Sequence, residues 1–445
     1  MDSTRTPNHP SYREILGMAW PVVLASISTP LLGLVDTAII GQTRPASALG
    51  AIAVGSLLLS FVYWAFGFLR MSTTGFVAQA EGAKDGVNMR AASFRAVLLG
   101  AALGTLILAL HLPIALVAFP LFGAAEEVSS LGQEYFSLRI WAAPATLVTF
   151  ALSGILIGLG KTRALLALQV LLNGLNIGLD LLLAGVFDLG VYGIALGTLI
   201  AEWVACLWGL WLVYRILHER HRDAAPFFPW QRIRQADALR ATMIANGNIM
   251  VRTLAMLASM AWFTRQGAQL GETVLAANHV LLSIISFCAF FIDGIAFPTE
   301  ALTGTAKGRR DLAGFDRAVR RTSVIATIVA LVLALTFLVF GEPLIRLITD
   351  LPMVIDAATA MLPFAAVYVA ISVAAFQLDG IFIGTSHTRE MRNAALASSV
   401  VFIGASAGLI STIGQIGLWV AMLIWITLRA LSLAYYYPAI RQDLR

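Results

Sequence analysis

The sequence predicts an all-α integral membrane protein, with twelve transmembrane helices in two pseudo-symmetric six-helix bundles. Three observations carry that prediction: the apolar content, the spacing of the apolar runs, and an internal repeat. Of 445 residues, 59% are hydrophobic and 12% charged, and the mean hydropathy is +0.82. A soluble domain cannot hide that much apolar surface, so the bilayer is the expected solvent. About twenty helical residues cross roughly 30 Å of hydrocarbon, and twelve runs near that length follow one another along the chain.

The first run, 15–41, contains Trp20-Pro21 and Pro30. It is too long for the hydrophobic region of a cleaved signal and reads as a retained span. Either proline can bend it by removing a backbone donor. Runs at 48–77, 93–119, 132–158, 164–186 and 190–217 complete the first half, residues 1–217. The polar stretch HERHRDAAPFFPWQRIRQAD begins the longest connection and makes 218–239 a cytoplasmic linker. Residues 240–445 form the second half, with runs at 240–266, 274–300, 322–348, 356–384, 393–413 and 416–438.

Charge placement sets the expected orientation. Both termini and the even-numbered loops hold 23 of the 30 Lys and Arg residues, against three in the odd loops and four inside spans. By the positive-inside rule both termini are cytoplasmic, in a multi-pass protein of the cytoplasmic (inner) membrane. The formal charge of +5 is thus a topology signal, and no nucleic-acid partner is expected.

The repeat appears as two loop pairs at one lag. EGAKD (Glu81 to Asp85) matches KGRRD (Lys307 to Asp311), and SGILIGLGKTR (Ser153 to Arg163) matches DGIFIGTSHTR (Asp379 to Arg389), each 226 residues apart. Six spans per copy give both copies the same orientation in the membrane. That is the parallel-repeat arrangement of alternating-access transporters, whose substrate path lies between the halves.

Enzyme chemistry finds no support. GLGKT (Gly158 to Thr162) resembles the end of a phosphate-binding loop, but the pattern requires glycine where Ile155 stands. No convincing HExxH or GxSxG arrangement is present, and Cys206 and Cys288 both fall in apolar runs, which gives no disulfide framework. No cofactor is expected beyond a coupling ion.

The informative residues are polar ones inside apolar runs. Asn173, Asn176 and Asp180 stand at i, i+3 and i+7, along one face of a helix. A charge at bilayer depth costs about 2.5 to 3.5 kcal/mol on insertion scales, so this face is expected to point inward. Asp36 in the first span supplies a second acid and Thr198 in the sixth a hydroxyl. Carboxylate, amide and hydroxyl oxygens suit a hard cation or a shared proton. The repeat supplies a control: 226 residues beyond Asp36 and Asp180 stand Trp262 and Ser406, so the acids are not duplicated. That asymmetry favours function, with interhelical hydrogen bonding as the bland alternative.

The second half carries Arg252, Asp293, Glu300 and Asp379 within spans. These read as mainly structural, Arg252 neutralising Asp293 or Asp379. Arg70, Arg139, Glu202 and Arg429 read as snorkelling or pairing groups. Met256 and Met260, with other Met and aromatic side chains, are packing residues or an adaptable lining for hydrophobic substrates.

At this point the chain resembles the multidrug and toxic compound extrusion (MATE) family, within it the DNA-damage-inducible protein F subfamily. The carrying stretches are WPVVLASISTPLLGLVDTAIIG, NIMVRTL, IDGIAFPTEALTGTAKG and LDGIFIGTSHTREMRNA. The resemblance implies two bundles forming a V and antiport driven by H+ or Na+. Asp36, Asn176, Asp180 and Thr198 match cation-site positions, which would be Na+ ligands if sodium is the ion. Tyr135 matches a cavity tyrosine and Pro21 a proline linked to bending of the first helix. Ser153 stands where relatives with this site have asparagine, and Ser372 where another branch has an acid; Asp379 is not at that position. The expected substrate cavity draws on Tyr135, Asn173, Ser153, Met256 and Met260. The implied activity is export of amphipathic, often cationic small molecules by a protein working as a monomer among membrane lipids. A flippase for lipid-linked saccharides is the alternative.

Overall fold

The computed structural model describes the backbone of residues 10–43, 46–123 and 125–445, and the side chains of these residues except 29–43 and 46. Asp36 and Pro30 therefore lie outside the described side chains. The described residues are helical with no strand. In order, the helices are α1 (Tyr12–Thr43), α2 (Ala46–Ala65), α3 (Phe68–Gly82), α4 (Gly86–Ala109) and α5 (His111–Phe122). There follow α6 (Glu126–Arg139), α7 (Ala143–Gly158), α8 (Thr162–Asp180), α9 (Gly190–Glu219) and the short α10 (Trp230–Ile233). The rest are α11 (Ala236–Gln269), α12 (Glu272–Arg309), α13 (Leu312–Ile348), α14 (Pro352–Gly384) and α15 (Thr388–Asp443).

These resolve into twelve membrane-length rods. Nine helical segments among the described residues are long and apolar enough to cross a bilayer. One of them, α15, is two rods, because Ile413 and Gly414 leave helical φ/ψ at −131°, 18° and 56°, −131°. Helices α1 and α11 supply the remaining crossings, α11 carrying too many polar residues (Asn246, Asn248, Arg252, Arg265) to stand out by hydropathy.

The apolar runs located the rods but not their internal breaks. The run at 93–119 is divided between α4 and α5, where Pro113 has no N–H to return to the Ala109 carbonyl and His111 Nδ1 lies 2.7 Å from Leu108 O. A break at Phe66–Gly67 separates α2 from α3, and a 3₁₀ turn at Ile140–Ala142 precedes Pro144 in α7. Hydropathy is blind to such breaks because they change hydrogen bonding, not polarity.

Packing divides the chain into two units. The first comprises Leu24–Met243; the second comprises Ile244–Arg445 together with the described residues of Met1–Val23. The first unit is organised around α7, against which α3, α4 and α9 pack. The linker is strapped to this unit. Arg90 makes a two-pronged ion pair with Asp223 (both contacts 2.8 Å) and donates from Nε to Phe227 O at 3.1 Å, while Arg220 pairs with Glu81 at 2.7 Å. The Arg90 guanidinium holds the Asp223 carboxyl down to about 2. The second unit is organised around α14, flanked by α12, α13 and α15. Its core includes Phe337, Phe402, Trp419 and Trp425, with Ile15 and Ala19 of α1.

The repeat is written into the backbone. Left-handed residues recur at the 226-residue lag: Lys84 with Arg310 (φ 55° and 54°), Gly160 with Ser386 (66° and 58°), and Asp188 with Gly414 (55° and 56°). Asp85 caps α4 through Asn88 N–H, and its counterpart Asp311 caps α13 through Gly314 N–H. The central crossings match as well. A Cβ on Gly154 would strike Arg70 O and one on Gly380 would strike Ala296 O; Gly158 and Gly384 meet Thr74 O and Glu300 O. All four pairs of positions are 226 apart, so one helix crossing is built twice from glycines that let backbones touch.

Candidate ion-binding site in the first unit

Helix α8 presents its polar residues on one face because their spacing follows the helical repeat. Asn173, Asn176 and Asp180 are buried, while Val170 and Leu181 on other faces are exposed. The inward face expected from the sequence is present. Asn176 is the hub. Its Nδ2 donates to Asp180 Oδ2 and to Thr198 Oγ1, both at 2.9 Å. Thr198 in turn donates to Ile194 O at 2.9 Å, so its hydroxyl proton is used within α9 and its oxygen is left to accept.

This proton inventory leaves a buried cluster of oxygens. Both Asn176 amide protons are spent, and Asn176 Oδ1 is buried without a hydrogen-bond donor among the described residues. An orphaned carbonyl oxygen in the membrane interior is costly unless something electropositive meets it. Carboxylate, amide carbonyl and hydroxyl oxygens are the ligand types that suit a hard cation or a proton carrier.

The other residues singled out in the sequence fall in different places. Asn173 Nδ2 donates to Ser28 Oγ at 2.6 Å, and Ser28 donates to Ala25 O at 2.7 Å, fastening α8 to α1. Ser153 uses its hydroxyl on Thr149 O at 2.8 Å, one turn back in α7. Tyr135 is buried; its hydroxyl is 3.0 Å from Ser56 Oγ and accepts from Arg139 at 2.8 Å. It lines a cavity of about 320 Å³ with Glu134, Leu138, Asp188 and Tyr192, separate from Asn176, Asp180 and Thr198. Pro21 is buried in α1. Met256 and Met260 are half-buried against the second unit's core.

Two charged networks are more extensive than the sequence suggested. In the first unit Arg139 pairs with Glu202 at 3.2 Å, and Thr146 donates to the other Glu202 oxygen. In the second unit both Arg252 and Arg429 bond Asp379 Oδ2. Of the two acids available to Arg252, the hydrogen bond goes to Asp379; Asp293 lies within electrostatic reach of both guanidiniums. Arg429 sits 50 residues from Asp379, so sequence spacing could not pair them. Gly197, whose missing side chain faces Asp180, also gave no signal.

The counterparts of the acids meet one another. Trp262 Nε1 donates to Ser406 Oγ at 2.8 Å, and these are the residues 226 beyond Asp36 and Asp180. The position matching Asn176 is Phe402, and that matching Thr198, by the Gly193–Gly417 correspondence of the two backbone contacts, is Met422. The second unit sets Phe402 and Met422 beside that single neutral hydrogen bond where the first assembles a carboxylate, an amide and a hydroxyl.

Comparison with known proteins places the chain. The MatE family profile matches residues 21–182 and 248–410, one match in each half. The chain is 35% identical to "DNA damage-inducible protein F" of Escherichia coli (strain K12), over 95% of this chain and 91% of that one. It is 27% identical to "Protein DETOXIFICATION 44, chloroplastic" of Arabidopsis thaliana, over 95% and 81%. Among solved structures, one titled "Outward-facing conformation of a multidrug resistance MATE family transporter of the MOP superfamily" superposes with a TM-score of 0.87 at 19% identity, covering 98% of this chain and 97% of that one.

Proposed function

This chain belongs to the MATE family of transporters, and on that premise we propose that it is a secondary antiporter exporting amphipathic, often cationic organic compounds in exchange for H+ or Na+. The observation that carries the reading is the buried oxygen cluster of Asn176, Asp180 and Thr198. Asp36 is its proposed fourth member. The register of α1 against α8 supports this. Four crossings separate the start of α1 from the start of α8, so the two helices run the same way. From the Ser28–Asn173 contact, residue 36 is eight positions on and residue 180 seven, advances of about 12 and 10 Å at 1.5 Å per residue. The Trp262–Ser406 hydrogen bond at the matching positions supports the same pairing.

Each member has a distinct task. The carboxylates of Asp180 and Asp36 compensate the ion's charge, and the Asn176 carbonyl and Thr198 hydroxyl replace part of its hydration shell. Filling the pocket from outside favours the packing of α1, α8 and α9 that releases substrate; emptying it inside permits rebinding. Each charge moved inward is worth about 2.3 kcal/mol per 100 mV and each unit of pH gradient about 1.4 kcal/mol, enough for one or two ions to sustain a large substrate gradient. Both termini are proposed to be cytoplasmic, from the charge asymmetry of the loops.

The test is efflux of a lipophilic fluorescent cation from proteoliposomes under separately imposed H+ and Na+ gradients. We expect one of them to drive transport against the substrate gradient. Movement that ignores both, with gradient-independent flipping of lipid-linked saccharides in the same vesicles, overturns the reading.

A further inference from the structure

We propose that Gly197 is a positioning residue of the ion site: its lack of a side chain provides the seat for the Asp180 carboxylate, and a π turn at Leu181–Val186 brings that carboxylate to it. The inference deepens the ion-coupling reading and rests on it.

The geometry is specific. A Cβ at Gly197 would overlap Asp180 Oδ1, whereas its next neighbours, Asp180 N and Leu179 Cβ, would both be 3.3 Å away. The space at Gly197 is thus closed by one carboxylate oxygen. Thr198 is the adjacent residue, so the peptide that supplies the hydroxyl ligand also supplies the seat. One turn back on α9, a Cβ at Gly193 would come within 2.8 Å of Ala184 N and 2.9 Å of Leu183 C. The two glycines form a short backbone-to-backbone contact with the segment that begins at Asp180.

That segment is not α-helical. Leu181–Val186 is a π turn, and Phe187 N–H bonds Leu182 O, five residues back, at 2.9 Å. A π turn accommodates one more residue per turn than the α-helical pattern, rotating the downstream residues relative to the upstream ones; such insertions are frequent at functional sites. Here it lies immediately after the acid, which lets Asp180 face Gly197 while Ala184 meets Gly193.

The second unit is the control. The stretch matching the π turn, 407–412, is ordinary α-helix ahead of the kink at Ile413–Gly414. Ser406 replaces Asp180 and Ala421 replaces Gly197, the α9 repeat running at a lag of 224 residues after the loop, as GVYGIALGTLI (Gly190 to Ile200) against GQIGLWVAMLI (Gly414 to Ile424). The close backbone approach persists there, Gly417 meeting Leu409 and Ile410 as Gly193 meets Leu183 and Ala184. Close packing of these two helices therefore requires neither the π turn nor a glycine at the Gly197 position. The features that differ are those that accommodate a carboxylate.

The test combines a stability cycle with a transport measurement. Gly197→Ala is expected to lower the thermal midpoint of the purified protein by several degrees, and Asp180→Ser/Gly197→Ala to restore it to about that of Asp180→Ser alone, the non-additivity expected of a direct contact. In proteoliposomes, Gly197→Ala is expected to raise the half-maximal concentration of the driving cation about tenfold or more, as loss of a ligand-orienting contact does elsewhere. Gly178→Ala, where a Cβ meets nothing within 4 Å, is expected to leave both measurements unchanged. If Gly197→Ala does not yield folded protein, the double variant decides: failure to restore folding overturns the proposal. An additive cycle, or an unchanged cation dependence in folded Gly197→Ala, also overturns it. Asp180→Asn that transports normally sinks the ion-coupling reading itself, whereas loss of coupling in Asp180→Asn beside a neutral Gly197→Ala sinks only the present proposal.

Discussion

The two units share one backbone plan and differ in what they place at its polar positions. Left-handed residues, aspartate caps and glycine crossings recur at the same lag. At the α8–α9 position the first unit sets Asn176, Asp180 and Thr198 where the second sets Phe402, Ser406 and Met422. At the middle of the central helix the asymmetry reverses: Ser153 in the first unit corresponds to Asp379, held by two arginines, in the second. Duplicated packing positions are those the fold requires of any copy. Positions where the copies differ are free of that shared requirement, and each answers to its own unit.

The largest contrast in stability is expected at the Ser153–Asp379 pair. Asp379→Ala leaves Arg252 and Arg429 buried without their carboxylate and is expected to cost about 3–5 kcal/mol, seen as loss of folded protein. Ser153→Ala removes one intrahelical hydrogen bond and is expected to cost about 1 kcal/mol or less. Similar effects at both positions break the claim that the Asp379 cluster is a feature of one unit.

Gly154→Val and Gly380→Val should behave alike. Each drives a branched side chain into a backbone carbonyl, and each is expected to lower stability by about 1–3 kcal/mol or more through overpacking. Thermal unfolding checks this, and tolerance of one with loss of the other contradicts a shared crossing. The paired caps sharpen the comparison at smaller scale: Asp85→Ala and Asp311→Ala are each expected to cost about 1 kcal/mol.

The smallest effect concerns the linker strap. Because the folded Asp223 carboxyl is depressed to about 2, its contribution is fully present above the ordinary aspartate value and is lost as pH falls through about 2. Wild type and Asp223→Asn should differ slightly in thermal midpoint at neutral pH and converge toward pH 2. A difference that persists there assigns the strap to packing of Phe227 and Phe228 on Phe94.

Much of the plan was legible in the sequence because it depends on properties the chain carries locally. Apolar length fixed the rods, and the recurrence of EGAKD as KGRRD and of SGILIGLGKTR as DGIFIGTSHTR revealed the duplication. Helical spacing aligned Asn173, Asn176 and Asp180 on the buried face. The features that escaped depend on contacts between distant segments or on backbone hydrogen bonding. Arg429 meets Asp379 only after α14 and α15 pack. The π turn after Asp180 lies in an apolar stretch, LLLAGV, whose composition is that of an ordinary helix. Gly197 reads as one small residue among several until its neighbour is known to be a carboxylate. Met256 and Met260 stand half-buried beside the second unit's core.

The most direct measurement compares matched substitutions in the two units, with gradient-driven efflux from proteoliposomes as the readout and correct membrane insertion verified for each variant. Asp36→Asn and Asp180→Asn are predicted to abolish coupled efflux, while Trp262→Phe and Ser406→Ala at the matching positions are predicted to retain it. Undiminished efflux in both aspartate variants, or loss of coupling in the second-unit pair alone, would contradict the assignment of the ion site to α1, α8 and α9.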